Sequence, residues 1–205
     1  MDLRRLKQMA AILVLPLIVM SCSGAQGRLF SSSAEKATPP AKDVSQPPPP
    51  KWARTDAIAQ NHMAAEEYQK AIDVYDAAYR KQPQDTMLVK AYVQSIETMA
   101  SNADRAFRRQ LYASAGKTYD ILLKNNDRFK AFEKDLSFDA AGMNKKLETC
   151  KKALFKQGLQ EYRKGHLDQS IAVWENLLLI DPQNAAIEEA LRTARLQKKN
   201  LEEVQ

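Results

Sequence analysis

Proline is confined almost entirely to one short stretch of this 205-residue chain, and its scarcity elsewhere limits what the rest can fold into. Six of the nine prolines lie between residues 39 and 50, and a seventh is Pro16. Over residues 52–205 only Pro83 and Pro182 remain, together with four glycines. Proline and glycine most disfavour the interior of an α-helix. We therefore expect an all-α body that is almost uninterrupted helix.

The first 21 residues have the pattern of a secretory signal. A positively charged start is followed by an apolar run of 12 residues, Met9–Met20. The positive charges are Arg4, Arg5 and Lys7. The run is too short to cross a membrane as a helix, and Pro16 would disturb such a helix. We predict that residues 1–21 are a signal peptide.

The end of this run, Val19-Met20-Ser21-Cys22, resembles the bacterial lipobox, in which a branched apolar residue and a small residue precede a cysteine. The resemblance implies cleavage before Cys22 and lipidation of that cysteine. Because each acyl methylene buried in a bilayer contributes about 0.8 kcal/mol, two or three chains anchor a protein firmly. Ser23 replaces the aspartate that retains some lipoproteins at the inner membrane, which favours the outer membrane, on its periplasmic side. The alternatives are an ordinary signal peptide with a chance cysteine, and an uncleaved anchor.

Residues 22–51 have the composition of a tether. The segment is rich in Ser, Ala, Lys and Pro and ends in a run of four prolines, Pro47–Pro50. Such a run favours an extended polyproline II conformation, and the Ser-rich part before it favours flexibility. The segment cannot bury enough apolar surface to order itself. We predict a flexible, disordered linker that leads to a folded domain over residues 52–205.

The clearest pattern within that domain is the stretch Lys151–Asn184, which has the period of about 34 residues typical of a tetratricopeptide repeat. Small residues stand where the two helices of such a repeat cross, a large residue fills the hairpin, and a proline ends it. These positions are held by Gly158, Tyr162, Gly165, Ser170, Trp174 and Pro182. The stretch resembles the tetratricopeptide family, with two departures: Ser170 for the common alanine, and Leu177 for a small residue.

Two weaker copies precede this repeat. Residues 52–85 keep the pattern, although their turn has Glu66-Glu67 in place of glycine. Positions in register there are Ala59, Tyr68, Ala71, Tyr75, Ala78 and Pro83. The middle copy is degenerate and keeps Ala103, Phe107, Tyr112, Ala115, Tyr119 and Leu122. Because the copies are unevenly spaced, we predict extended first helices in the second and third, near residues 84–108 and 139–164.

Two further segments complete the predicted domain. Residues 125–137 form a connector whose Phe129, Phe132 and Leu136 could lie on the core as a short helix. Residues 185–203 have the apolar seam of one more helix, in Ile187, Ala190, Leu191 and Ala194. A solenoid needs a terminal helix to cover its last apolar face. We interpret this helix as a cap; the alternative is a docking helix for a partner.

The sequence shows no motif for catalysis, metal binding or a cofactor. Its two histidines, His62 and His166, lie far apart without neighbouring ligand residues. If Cys22 carries lipid, Cys150 has no disulfide partner within the chain, and its place in an apolar stripe favours a buried thiol. Without residues 1–21, which hold three basic residues and one acidic residue, 28 Lys and Arg face 24 Asp and Glu, a net charge of +4. Interspersed charges of this kind do not indicate nucleic-acid binding.

The resemblance implies that first helices line a concave groove for a protein partner. The third repeat contributes Lys152, Phe155, Leu159, Tyr162 and Arg163, and the second contributes Phe107 and Arg108 among Glu97, Ala100 and Asp104. The first contributes Asp56, Gln60 and Met63. Phe155 and Leu159 stand where a carboxylate-binding clamp would need polar groups, so an apolar segment of a partner fits better. The alternative is that the connector or the terminal helix covers both residues.

We therefore expect a non-enzymatic, membrane-tethered adaptor in a bacterial envelope complex. Tetratricopeptide lipoproteins include pilotins of secretion channels and components of β-barrel assembly machinery, and the resemblance selects none of these machines. An accessory regulator of cell-wall enzymes and a self-associating structural protein are the alternatives. The sequence leaves the oligomeric state open.

Overall fold

The computed structural model describes residues 48–203, and that part of the chain is all-α. Eight α-helices and one 3-10 helix follow one another without a strand among these residues. The helices are α1 (Lys51–Ala64), α2 (Tyr68–Lys81), α3 (Thr86–Arg108), α4 (Tyr112–Lys124), α5 (Asn126–Phe129), α6 (Ala140–Arg163), α7 (Leu167–Ile180) and α8 (Ala185–Glu203). The 3-10 helix, Lys130–Asp135, lies between α5 and α6. The all-α prediction is confirmed.

The long helices pair into three successive hairpins, α1 with α2, α3 with α4, and α6 with α7. Each hairpin turn is three residues long, and its middle residue has a positive φ: 57° at Glu66, 59° at Gln110 and 79° at Gly165. In each, the amide of the third turn residue bonds back to the carbonyl five residues earlier, as His166 N does to Glu161 O at 3.0 Å. This is the Schellman motif, which closes a helix with a left-handed residue. One turn geometry is thus repeated three times.

The first helices of the second and third hairpins are extended, as the spacing predicts. Helices α3 and α6 have 23 and 24 residues, whereas α1 has 14. Side-chain caps set where the long helices begin. Asp85 accepts hydrogen bonds from the amides of Met87 and Leu88, and Asp139 accepts one from Gly142 at 2.7 Å. Such caps satisfy amides that have no partner within the helix.

The hairpins are filled at one recurring position by a large ring. Tyr75, Tyr119 and Trp174 occupy this place in α2, α4 and α7, and each is at most 2% exposed. Ser170 is fully buried and donates its hydroxyl hydrogen to the carbonyl of Gly158 at 2.9 Å. That bond explains why a serine is accepted where the resemblance implies alanine, because a buried hydroxyl needs a partner.

The connector lies on the core, as the sequence predicts. Phe129 and Phe132 are 1% and 3% exposed. The Phe132 ring meets Tyr79 and Tyr92 edge-on, with ring centroids 5.0 and 5.3 Å apart. Edge-to-face contacts of this kind add to the gain from apolar burial. The connector therefore covers the side of the bundle formed by α2 and α3.

Helix α8 starts in the same way as α3. The residues that end α2 and α7, Gln82 and Asp181, have nearly the same backbone angles (φ −141°, ψ 64° and φ −145°, ψ 69°), and a proline follows each. Helix α8 then packs on α7 through its buried Ile187, Leu191 and Ala194. It thus has the position of a first helix relative to the hairpin before it.

One flank of α8 differs in charge from the corresponding flank of α3. Ile96, Ala100 and Ala103 of α3 are at most 9% exposed, and counting from each proline their counterparts on α8 are charged. Those counterparts are Arg195, Lys199 and Glu202, and all three are exposed. Burying these charges under a further helix would be costly unless they found partners. The packing and charge of α8 agree with a cap.

The predicted signal peptide (1–21), the lipidation site Cys22 and the tether as far as residue 47 lie outside the described residues. Within residues 48–203 no helix combines the length and the apolar character that crossing a membrane requires.

Candidate functional site

The residues predicted from the third repeat form one edge of α6. Phe155 is 43% exposed, and Leu159 is half-buried against the core. Tyr162 is also half-buried, and its ring lies 5.8 Å from that of Trp174. Lys152 and Arg163 are exposed beside them. Phe155 is thus the accessible apolar residue of this edge, while Tyr162 contributes mainly to packing.

Neither the connector nor α8 covers Phe155. The connector packs on the aromatic side chains of α2 and α3, and α8 packs chiefly on α7. Nearly half of the Phe155 side chain consequently faces outward. Large apolar side chains left in the open on a helix edge are candidates for contact with a partner.

The two residues predicted from the second repeat have different surroundings. The Phe107 ring packs edge-on against Tyr112 and Tyr119, at centroid distances of 5.9 and 6.3 Å, and it is half-buried. Arg108 is exposed and lines a cleft between α3 and the start of α6. Phe107 therefore belongs to its own hairpin, and Arg108 belongs to a second surface.

We call that second surface the α3–α6 cleft. It encloses about 430 Å³. Its lining residues on α3 are Glu97, Ala100, Ser101, Asp104 and Arg108, and the opposite wall is Ser137, Phe138, Asp139, Gly142, Met143 and Lys146. The repeat pattern predicts most of the α3 wall. It does not predict the other wall, because that wall comes from the connector and from the extension of α6, which lie outside the repeat.

A polar network holds the two walls of the α3–α6 cleft together. The Asp104 carboxylate accepts hydrogen bonds from Lys146 Nζ at 2.7 Å and from the Tyr119 hydroxyl at 2.5 Å. Burial acts to raise the pKa of the Asp104 carboxyl, but these two hydrogen bonds outweigh burial, and the pKa is lowered. Burial, and then the bond to Asp104, raise the pKa of Tyr119. Glu97 accepts the Ser137 amide and hydroxyl at 2.6 and 2.5 Å. These contacts explain the fixed geometry of the cleft without any ligand.

The positions predicted from the first repeat are largely used inside the fold. Asp56 accepts the Tyr75 hydroxyl hydrogen at 2.5 Å, and Gln60 donates to Tyr75 and Ser95 at 3.1 and 3.0 Å. Burial and then the neighbouring Asp56 raise the pKa of Tyr75 to about 12. Met63 packs against the core. A network in which each group has a partner stabilises the hairpin and leaves these side chains little freedom to bind a ligand.

The described residues hold no cluster of three or more metal-ligating side chains. Each histidine instead contacts a glutamate at a hairpin turn, His62 with Glu67 at 2.7 Å and His166 with Glu161 at 2.8 Å. Cys150 is fully buried and free, and burial raises its pKa to about 11. A thiol held in its protonated form is a poor nucleophile.

A third surface was missed by the repeat pattern. Val89 and Val93 of α3 line an apolar cleft of about 560 Å³ together with Pro83 and Asp135. The sequence does contain a signal for this cleft, because Val89 and Val93 are apolar residues one helical turn apart that lie outside the buried stripe of α3.

Comparisons with protein family models, with curated proteins and with solved structures find no match to this chain.

Proposed function

We propose that this protein is a non-enzymatic, lipid-anchored adaptor that binds another protein of a bacterial envelope complex. The observation that carries the proposal is Phe155, a large apolar side chain left 43% exposed on the first helix of the most regular hairpin. Buried aromatic anchors commonly dominate protein interfaces. A rigid helical array that presents such an anchor beside cations is suited to holding a partner segment.

The polar groups of the array support the adaptor over an enzyme. Lys146 and Tyr119 both donate to the Asp104 carboxylate, and Tyr75, Asp56 and Gln60 bond to one another. A catalytic acid, base or nucleophile has to reach a substrate from within a pocket. These groups are instead used to fix neighbouring helices.

Comparative affinity purification tests the adaptor role. The full-length chain and its Phe155→Ser variant are purified from native cells after mild crosslinking, and the co-purifying proteins are quantified. We expect at least one envelope protein to be recovered with the parent chain and depleted at least fivefold with the variant. An unchanged set of proteins would contradict a binding role for this edge. Subunits of secretion, pilus or barrel-assembly machines support the assembly role, and cell-wall synthases or hydrolases support the regulatory alternative.

Membrane attachment is part of the proposal and rests on the lipobox resemblance of residues 19–22. The Cys22→Ala variant should lose lipid labelling and accumulate unprocessed or leave the outer-membrane fraction. Retention in that fraction, processed as the parent chain is, would contradict the anchor.

Self-association is a second candidate, favoured by a specific observation. Leu179, Leu196 and Leu201 of α7 and α8 are 62%, 59% and 53% exposed. Sedimentation of the full-length chain at micromolar concentration should show a dimer or larger species if they form an interface. A strict monomer rules this candidate out.

A further inference from the structure

The outward side of α6 carries a stripe of positive charge that the repeat pattern only partly predicts. Lys145, Lys152, Lys156 and Arg163 are all exposed. At 3.6 residues per turn they lie within about 40° of one another around the helix, and they extend along about 27 Å of it. No acidic residue of α6 lies in that sector. We call these four residues the basic face of α6.

The cations of the basic face differ from the other cations of the same helix. Lys146 and Lys151 form ion pairs with Asp104 and Glu148 at 2.7 and 2.9 Å, and Lys164, directly after α6, pairs with Glu161 at 2.8 Å. None of the four cations of the basic face has a carboxylate within ion-pair distance among residues 48–203. A partner's carboxylates would therefore meet cations that no group of the described fold neutralises.

The spacing of these charges makes them unfavourable on their own. Lys152 and Lys156 are one turn apart, and like charges at this spacing destabilise a helix by about 0.2–0.5 kcal/mol. Along the helix axis Lys145 lies about 10 Å from Lys152, and Arg163 lies about 10 Å from Lys156. These distances are close to the screening length at physiological ionic strength, so repulsion across them is weaker. An acidic partner removes this repulsion when it binds.

Apolar surface lies along one border of the basic face. On the helical wheel Leu159 is about 40° from the centre of the stripe and Phe155 about 80° from it, both on the same side. A membrane-surface helix has a different arrangement, since its apolar residues point deepest and its cations flank them. Here the cations point farthest outward, and the apolar side chains are recessed to one side. This order fits a narrow segment lying along α6 better than a flat lipid surface.

We propose that the basic face and Phe155 together bind an acidic protein segment that carries apolar anchor residues. The segment places one or more large apolar side chains against Phe155 and Leu159, and its carboxylates meet Lys152, Lys156 and Arg163. Charge complementarity of this kind speeds association and selects the partner. This proposal deepens the adaptor function and rests on it.

A labelled 16-residue peptide tests the partner chemistry. Leucine or phenylalanine stands at every third or fourth position and Asp or Glu elsewhere, and a matched peptide carries Lys in place of every acid. Fluorescence anisotropy with the full-length chain should show at least tenfold tighter binding of the acidic peptide, weakening at least fivefold between 50 and 500 mM salt. Equal binding of the two peptides overturns the proposal.

Charge reversal locates the binding. The variant Lys152→Glu/Lys156→Glu should lose at least tenfold in affinity for the acidic peptide and gain affinity for the basic one. Phe155→Ser should weaken binding of the acidic peptide to the parent chain, and also binding of the basic peptide to the charge-reversed variant. The matched control, Lys81→Glu/Lys134→Glu, changes two exposed lysines outside α6 and should leave affinity within twofold. Equal losses in the control and the α6 variant, at unchanged circular dichroism, overturn the proposal.

Binding to anionic lipid vesicles distinguishes a lipid surface from an acidic protein segment as the source of negative charge. If phosphatidylglycerol vesicles bind the chain and the α6 variant abolishes this, while the acidic peptide shows no preference, the basic face is a lipid surface and the proposal is wrong. If a protein partner depends on Phe155 in cells but neither peptide is preferred, the adaptor function stands and only the acidic chemistry fails. If no protein depends on Phe155, the adaptor function itself fails.

Discussion

At the residue scale, the third hairpin depends on the fit between Gly158 and Trp174. A Cβ at residue 158 would stand 2.2 Å from the Trp174 indole nitrogen and 2.5 Å from its Cδ1. The first two hairpins have alanine at the corresponding positions, Ala59 and Ala103, and tyrosine in place of the tryptophan. The chain thus pairs alanine with the smaller ring and glycine with the larger one, because close-packed interiors leave no room for both.

The Gly158→Ala substitution should therefore destabilise the protein. In an ordinary helix this change gains about 1 kcal/mol, but here the overpacking is expected to cost about 1–3 kcal/mol. Urea unfolding followed by circular dichroism measures the effect. In a Trp174→Tyr background the same change should be neutral or stabilising. An equal loss in both backgrounds would show that the ring contact is not the cause.

The lowered pKa of Asp104 predicts a dependence of stability on pH. A carboxyl whose pKa is lower in the folded state stabilises that state fully above its unfolded pKa of about 3.9, and the contribution is lost as pH falls through the folded pKa. Asp104→Asn should therefore have a shallower loss of stability than the parent chain between about pH 5 and pH 2. The control Asp135→Asn removes the same charge from an exposed residue outside the network, and the effect of Asp104→Asn on stability should exceed its effect. Parallel curves for parent and Asp104→Asn would count against the network.

At the element scale, the three hairpin turns share one geometry but only one has the residue that suits it. A left-handed backbone costs about 1–2 kcal/mol for a residue with a Cβ, and glycine avoids this. Gly165 matches its turn, whereas Glu66 and Gln110 adopt the same conformation without glycine. The surrounding packing therefore imposes the turn on the first two hairpins.

The Gln110→Gly variant should raise the free energy of unfolding by about 1 kcal/mol. Gly165→Ala should lower it by a similar amount through backbone strain alone, because beyond its chain neighbours no atom lies within 4 Å of the added Cβ. Thermal and urea unfolding measure both. A loss of stability in Gln110→Gly would mean that the glutamine side chain contributes more than its conformation costs.

The terminal helix α8 offers a matched pair of leucines. Leu191 is 3% exposed against α7, and Leu196 is 59% exposed on the other side of the helix. If α8 caps the array, Leu191→Ala should cost about 2–5 kcal/mol, while Leu196→Ala stays within about 0.5 kcal/mol. Similar small effects in both would indicate that α8 is only loosely attached, as a docking helix is.

Some elements follow from local patterns, which is why the sequence predicts them. Scarce prolines predict the helical content, and the apolar periods of α3 and α6 predict that these two helices are extended. The turns at Glu66 and Gln110 resist prediction because no residue there favours a left-handed conformation. The second wall of the α3–α6 cleft depends on how far the connector shifts α6 along α3, which is a tertiary effect.

At the scale of the whole molecule, the described residues form a rigid array with a covered end and an accessible edge on α6. Some candidate site residues are accessible to a partner and others pack inside their hairpin, and the spacing of the repeat does not distinguish these two roles. Phe155 and Arg163 are accessible, whereas Tyr162 and Phe107 mainly pack their own hairpins. A sequence pattern predicts which face of a helix a residue lies on, but only the packed structure shows whether a neighbouring side chain covers that residue.

Site-specific photo-crosslinking in living cells tests the central claim, that the edge of α6 around Phe155 binds a partner protein. A photoreactive phenylalanine analogue replaces Phe155 in the full-length chain, and a matched chain carries it at the exposed Ala131 of the connector. We predict a discrete covalent adduct with one envelope protein from residue 155, lost when Lys152 and Lys156 are changed to glutamate, and no such adduct from residue 131. Absence of an adduct at residue 155, or the same adduct from both positions, would contradict the claim.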